Sequence, residues 1–182
     1  AKVSWADMPM KDRIAKAKEI MKAAGYGPDN PLKLEILYNT SENHKKIAVA
    51  VQNMWKQIGV EATLLNQEWK VYLDTRQTTK QFDVARAAWI GDYADPQTFL
   101  TLFLSDAGDQ NDAGFNNADY DRLSKTAEKI TDQAARMKQL HDAEQVFLDN
   151  MPIIPIYFYT TKHMVSKKVS GWEYNILDFH LG

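Results

Sequence analysis

Helix-like and strand-like patterns alternate along the first half of this 182-residue chain, and this order constrains its fold most strongly. Helical segments show apolar residues at helical spacing, and strand segments are short, apolar or alternating stretches. The predicted segments, helix first, are residues 10–24, 32–38, 41–58, 60–65, 69–78 and 82–89. Strands that alternate with helices are usually joined by crossovers, which favours parallel pairing. The sequence therefore predicts an α/β fold, a layered sheet with flanking helices.

The second half of the chain is predicted to be mainly helical. Asp95-Pro96 has the pattern of a helix start. The predicted helices are residues 96–104, 118–130 and 133–150. Residues 105–117 are rich in Asp, Asn and Gly, which predicts a surface loop. The apolar segments at residues 153–161 and 164–165 are predicted to be the last strands.

Composition excludes several classes of function. The chain has 22 Lys and Arg against 24 Asp and Glu, so it lacks the basic excess that a nucleic-acid partner requires. It contains no cysteine, which excludes disulfides, thiolate metal sites and cysteine nucleophiles. The sequence has no apolar run of about 18 residues or more, so we expect no direct insertion into a membrane.

The motifs for catalysis and metal binding are absent from the sequence. There is no Gly-x-Ser-x-Gly, phosphate-binding glycine loop or His-Glu-x-x-His, and the four histidines are widely spaced. With Asp109 as position 1 of a calcium loop, Tyr120 falls at position 12, where a bidentate glutamate is needed. We therefore expect no enzyme activity, no cofactor and no metal site.

One stretch of chain carries aromatic and charged residues at short intervals: Trp69, Arg76, Arg86, Trp89 and Asp92. Arg86 lies in a predicted strand, where a buried guanidinium requires an anionic partner. Trp89 and Asp92 lie where that strand is predicted to end, and open α/β sheets bind ligands at the carboxyl ends of strands. A structural Arg86–Asp92 ion pair with tryptophans in the core explains the same pattern, so the residues alone leave both interpretations open.

Several stretches resemble the solute-binding proteins of peptide ABC transporters, above all the periplasmic oligopeptide-binding proteins of extracellular solute-binding family 5. They are YNTSENHKK at 38–46, NQEWK at 66–70, DTR at 74–76, FDVARAAW at 82–89, DYADP at 92–96 and PIIP at 152–155. The resemblance runs nearly end to end in the order expected for the family. Members of this family are much longer, and the chain resembles only their C-terminal lobe.

The resemblance implies one lobe of a bilobal, type II-like periplasmic-binding-protein fold. Residues 1–182 are then a single C-terminal ligand-binding lobe, a fragment of a larger protein, and residues 166–182 start the segment that returns to the missing N-terminal lobe. The implied function is to bind short peptides between two lobes and to deliver them to the membrane subunits of an ABC importer. The implied location is the periplasm.

The resemblance also implies roles for six residues: His44, Trp69, Arg76, Arg86, Trp89 and Asp92. Asp92 matches the acid that pairs with the α-ammonium of the peptide. Arg86 and His44 match the groups that receive the C-terminal carboxylate, and Arg76 matches a further cationic contact. The two tryptophans match aromatic pocket walls.

Other interpretations remain open. The same fold could bind another cargo, such as a murein peptide, a nickel chelate or haem, or the chain could be a stand-alone α/β interaction domain. His44 could be a solvated residue at a helix start, Trp89 a core residue and Asp92 a turn residue.

Overall fold

The chain divides into two compact units in the computed structural model, which describes residues 1–173 and 175. The sheet unit is Lys2–Ala88, and the helical unit runs from Trp89 onward and includes Ala1. The helices are α1 (Met10–Ala23), α2 (Glu42–Lys56), α3 (Trp69–Leu73), α4 (Gln97–Leu100), α5 (Ala118–Ala127) and α6 (Gln133–Asn150). The strands are β1 (Leu32–Asn39), β2 (Val60–Gln67) and β3 (Val84–Ala85).

The sheet unit contains a parallel sheet with the strand order β2-β1-β3. Leu32 lies opposite Val60 at one end of the β1–β2 pair, and Asn39 lies opposite Gln67 at the other. The prediction of parallel strands joined through helices is confirmed.

The core of the sheet unit follows the alternation in the strands. Ile36, Tyr38 and Val60 point to one face and are buried with Ala48 of α2. Two sequence signals place that helix. The Ser41 hydroxyl accepts a hydrogen bond from the backbone of α2 at its start, and Gly59 follows its end with a φ of +88°, which favours glycine.

Strand β3 is shorter than the predicted strand at residues 82–89, because side chains take the place of ladder partners. Before the strand, the carboxylate of Asp83 accepts the backbone N–H of Glu35 at 2.9 Å. After it, the N–H of Arg86 still donates to Leu37 at 2.8 Å, but the carbonyl of Arg86 accepts the hydroxyl of Tyr72. The backbone pairing therefore ends within a few residues.

The helix predicted at residues 69–78 has the expected extent but changes its winding. After α3, residues Asp74–Thr79 form a π-helical turn, which ends at Lys80 with a φ of +52°. Such turns occur frequently at functional sites. No periodicity in the sequence distinguishes this wider turn from an α-helix.

The helical unit is built around α5 and α6. Its core joins Leu100, Tyr120, Leu140 and Phe147, and the Phe147 ring lies 4.6 Å from that of Phe103 between centroids. The helices predicted at residues 96–104, 118–130 and 133–150 are confirmed, although the first consists of α4 followed by a 3-10 turn at Thr101–Phe103. No helix in the part of the chain that the structure describes is long and apolar enough to cross a membrane.

The strands predicted at residues 153–161 and 164–165 are wrong: among residues 1–173 and 175, neither segment pairs in a sheet. Both Pro152 and Pro155 lack a backbone donor, and Phe158 is 97% exposed. A strand requires a neighbouring strand, which an apolar pattern alone does not supply. The segment expected to return to a second lobe, residues 166–182, lies partly outside the described residues.

Candidate functional site

Four of the six predicted site residues lie in the sheet unit, three of them just after the carboxyl end of a strand. His44 lies in the first turn of α2, after β1, and Trp69 begins α3, after β2. Arg86 follows β3 directly, and Arg76 lies in the π-helical turn. The carboxyl ends of strands are where open α/β sheets bind ligands.

Tyr72 of α3 connects three of these residues and is itself fully buried. Its hydroxyl donates to the carbonyl of Arg86 and accepts from Nη1 of Arg76 at 3.2 Å. Its ring stacks on that of Trp69, with centroids 5.7 Å apart and an angle of 25° between planes. Trp69 itself is half exposed, so it offers an aromatic face to a ligand rather than filling the core.

Arg76 is buried although it carries a positive charge. Its guanidinium carbon lies 5.3 Å from the centroid of the Tyr72 ring, which is the geometry of a cation–π contact. The π-helical turn and α3 therefore hold this cation against one side of Tyr72.

His44 is half-buried and bound to the end of β1. Its Nδ1 lies 2.8 Å from Oδ1 of Asn39, and an amide oxygen only accepts, so Nδ1 carries the hydrogen. Burial and then the positive charge of Arg86 hold the pKa of His44 below its usual value, and a hydrogen bond that the ring donates to the Asn39 backbone opposes this shift. The neutral ring therefore presents Nε2 as an acceptor, and it becomes a donor there only after it takes up a second proton.

The other two predicted residues, Trp89 and Asp92, lie in the loop that begins the helical unit. Trp89 is 38% exposed, so it does not fill the core, and Asp92 is exposed. The backbone N–H of Asp92 donates to the hydroxyl of the buried Thr98 at 3.0 Å. Gly91 allows this turn to close, since a Cβ there would lie 3.1 Å from Cγ2 of Thr98.

An ion pair ties the same loop to α6. Arg136 donates to both carboxylate oxygens of Asp95, at 2.6 and 2.9 Å, and to the side chain of Gln97 at 2.7 Å. The hydrogen bonds from Arg136 hold the pKa of Asp95 below its ordinary value, although burial opposes the shift. The two side chains are only 15% and 22% exposed, so the pair is largely removed from water.

Sequence reasoning missed four residues of this arrangement: Asn39, Tyr72, Thr98 and Arg136. Tyr72 had a usable signal, because it lies three residues after Trp69 and four before Arg76, which are the spacings of one helix face. Arg136 had none, since it lies 41 residues from Asp95 in the sequence.

The chemistry of the described side chains suits a small charged ligand. Within the sheet unit, two arginines and an aromatic ring suit an anionic group. Within the helical unit, considered by itself, the exposed carboxylate of Asp92 on a fixed loop suits a cationic group. Within residues 1–173 and 175, no three His, Asp or Glu side chains are placed to hold a metal ion.

Comparison with known proteins shows the family to which the chain belongs. The sequence profile described as bacterial extracellular solute-binding proteins, family 5 Middle, matches residues 2–111. The periplasmic murein peptide-binding protein MppA of Escherichia coli K12 is 46% identical over 94% of this chain. The periplasmic oligopeptide-binding protein OppA of the same strain is 40% identical over 92% of it. The chain covers 32% and 31% of these relatives, or about a third of their length.

A solved structure supports the fold. The crystal structure of Haemophilus influenzae OppA in complex with RPPGFSPFR matches 87% of this chain and 31% of that chain, with a TM-score of 0.84 and 39% identity. The predicted α/β fold class, a layered sheet with flanking helices in a periplasmic-binding-protein fold, is confirmed by this match. These relatives are named as binding proteins and not as enzymes.

Proposed function

The chain belongs to family 5 of the bacterial extracellular solute-binding proteins, and on that premise we propose that it binds short peptides for delivery to an ABC importer. The observation that carries this proposal is the cluster of His44, Arg76 and Arg86 at the strand ends of the sheet unit. A peptide ends in a carboxylate, to which the two arginines offer charge-assisted hydrogen bonds, and His44 adds another once its ring is protonated.

The two ends of the peptide are assigned to different residues. Asp92 pairs with the α-ammonium, and Arg86 and His44 receive the carboxylate, with Arg76 as a further cationic contact. The exposed rings of Trp69 and Trp89 supply aromatic pocket walls. When one partner of a buried charge pair is deleted, the binding free energy weakens by about 2–5 kcal/mol. Contacts of this kind can therefore decide the affinity for the peptide.

The family resemblance supports a proposal for the rest of the peptide. Its backbone is held like an added strand, and its side chains enter hydrated pockets that accept many residue types. We assign residues 1–182 to the C-terminal lobe of a two-lobe protein in the periplasm, whose other lobe closes over the peptide. The membrane subunits of the importer are the further partner, and the protein is a carrier rather than an enzyme.

A murein peptide is the second candidate cargo. The relative named as murein peptide-binding is 46% identical to this chain, against 40% for the oligopeptide-binding relative of the same bacterium. Cell-wall peptides carry extra carboxylates, for which the several cations of the sheet unit are suited. Competition between alanine tripeptides and γ-linked peptides distinguishes the two cargos.

Calorimetric titration of the native protein tests the proposal with Ala-Ala-Ala, its N-acetyl form and its C-terminal amide. We expect each blocked peptide to bind at least tenfold more weakly, which is about 1.4 kcal/mol per end. D92N should remove the preference for the free amino end and leave the preference for the free acid.

The matched control is D109N, which neutralises another exposed aspartate of the helical unit. It should leave both preferences unchanged. Equal affinities for the three peptides, or no binding by any of them, would overturn the assignment of peptide ends.

A further inference from the structure

Tyr72 has no role in the proposed binding of the peptide, although it contacts three of the residues that are proposed to bind it. We infer that Tyr72 is a positioning residue for the peptide carboxylate, because its hydroxyl and ring fix Arg86, Arg76 and Trp69 relative to one another. This inference rests on the proposed function and adds a residue that acts through others. Tyr72 is fully buried, so it does not touch the peptide itself.

The hydroxyl of Tyr72 uses both of its hydrogen-bonding capacities at this edge of the sheet. It donates to the carbonyl of Arg86 and accepts from Nη1 of Arg76. The first bond takes the carbonyl that would otherwise continue the ladder from β1 to β3. The strand β3 therefore ends at Ala85, directly before the residue whose side chain is assigned to the carboxylate.

The second contact joins Tyr72 to the π-helical turn after α3. Arg76 lies in that turn, with its guanidinium over the Tyr72 ring and its Nη1 on the hydroxyl. The ring of Tyr72 also stacks on Trp69. One buried side chain thus contacts the guanidinium of Arg76, the backbone of Arg86 and the ring of Trp69.

Tyr120 shows what a buried tyrosine does without such neighbours. It is also fully buried, and its hydroxyl donates to a backbone carbonyl, that of Leu100, at 2.5 Å. Its ring contacts are with Phe115 and Phe147 in the core of the helical unit. Tyr120 therefore provides a matched control for the loss of a buried hydroxyl.

The test compares Y72F and Y120F in the native protein by the dissociation constants of Ala-Ala-Ala and its C-terminal amide. Y72F should weaken binding of the free acid about tenfold and change that of the amide little, because the cations lose their fixed places. Y120F should leave the ratio of acid to amide affinity at the wild-type value. In an R86M background, Y72F should have a smaller effect on the ratio.

The outcomes separate the inference from the proposed function. If wild type prefers the acid and Y72F keeps that ratio, or loses affinity for both peptides equally, Tyr72 is only structural and the inference is wrong. If wild type binds neither peptide, or binds both equally well, the proposed binding of the carboxylate is wrong. The inference about Tyr72 is then wrong as well, because it rests on that proposal.

A second measurement remains available if Y72F does not fold. In wild-type protein labelled at the tyrosine ring, the 13Cζ resonance of Tyr72 should shift when the free acid binds and shift much less with the amide. The resonance of Tyr120 should not respond to either peptide. Identical Tyr72 shifts with both peptides, or none with the acid, would overturn the inference.

Discussion

Tyr72 in the sheet unit and Tyr120 in the helical unit make the same kind of contact in different surroundings. Both are fully buried, and both donate to a backbone carbonyl. Tyr120 lies among phenylalanine rings, and its burial raises the pKa of its hydroxyl well above the ordinary value. Tyr72 contacts the guanidinium of Arg76, the backbone carbonyl of Arg86 and the half-exposed ring of Trp69. The two tyrosines are equally buried and differ in their neighbours, and the contact of Tyr72 with the guanidinium of Arg76 is what supports the role inferred for it.

Each unit also contains an arginine whose charge shifts the pKa of a neighbouring group. In the helical unit, Arg136 is matched by the two carboxylate oxygens of Asp95. In the sheet unit, the charge of Arg86 acts against protonation of His44 and helps to lower its pKa. Like charges held together favour the arrival of an anion, and shifts of this kind are concentrated at functional sites. The ion pair in the helical unit is structural, whereas the electrostatic effect of Arg86 on His44 is consistent with the carboxylate-binding role that we propose for these two residues.

Removing a core ring should have the largest effect, and it tests the structural side of this comparison. F147A should lower the free energy of unfolding by about 3–5 kcal/mol, because Phe147 is buried against three other aromatic rings. The control F158A removes a ring that is 97% exposed, and it should change the free energy of unfolding by less than about 0.5 kcal/mol. Denaturant unfolding measures both, and equal effects would contradict the assigned core.

Breaking the Asp95–Arg136 pair should have an intermediate effect. R136M leaves Asp95 without its main partner in a place largely removed from water, which should cost about 1–3 kcal/mol in the free energy of unfolding at pH 7. R122M removes an arginine from an exposed pair with Asp119 and should cost much less. A similar loss in both variants would show that burial of the first pair does not matter.

The same pair predicts how stability changes in acid. The folded protein holds the pKa of Asp95 below its reference value of 3.8, so the stabilisation is fully present above that value. It is lost as the pH falls below 3.8 and through the lower pKa of the folded state. In R136M this part of the acid dependence should be missing, and unfolding curves recorded from pH 5 to pH 2 should show the difference.

The smallest expected effect is the pH dependence of peptide affinity that His44 of the sheet unit should cause. Because its pKa lies below 6.5 in the free protein and a bound carboxylate favours the protonated ring, binding should take up protons. Affinity for Ala-Ala-Ala should therefore rise about 3- to 10-fold as the pH falls from 7 to 5, and level off below the pKa of the free protein. H44Q and the amide peptide should each remove this rise. A rise that persists in H44Q would assign the proton to another group.

The parts of the fold that are local in sequence could be predicted. Ser41 and Gly59 fixed the ends of α2 by their own chemistry, and strands between helices indicated parallel pairing. The strand at residues 82–89 was overestimated because the hydroxyl of Tyr72, 14 residues from Arg86, interrupts the ladder. The strands at residues 153–161 and 164–165 depended on a neighbour that apolar residues alone cannot supply.

The candidate site could be predicted only in part. Arg86 and Asp92 could be predicted as site residues from their residue types and from the family resemblance. The contacts that support them come from other parts of the chain and could not be predicted. Thr98 accepts a hydrogen bond from the backbone of Asp92, and Arg136 donates to Asp95 of the same loop. No spacing in the sequence predicts either contact. The proposed roles of the six site residues remain predictions.

The most direct test of the central claim is a titration of 15N-labelled native protein, followed by the amide resonances of Asp92, Trp89 and Arg86. Ala-Ala-Ala should shift all three amides, and N-acetyl-Ala-Ala-Ala should shift that of Asp92 much less, because it lacks the ammonium group that Asp92 is proposed to bind. If both peptides bind and shift the Asp92 amide equally, or if saturating Ala-Ala-Ala moves none of the three, the account of peptide recognition is contradicted.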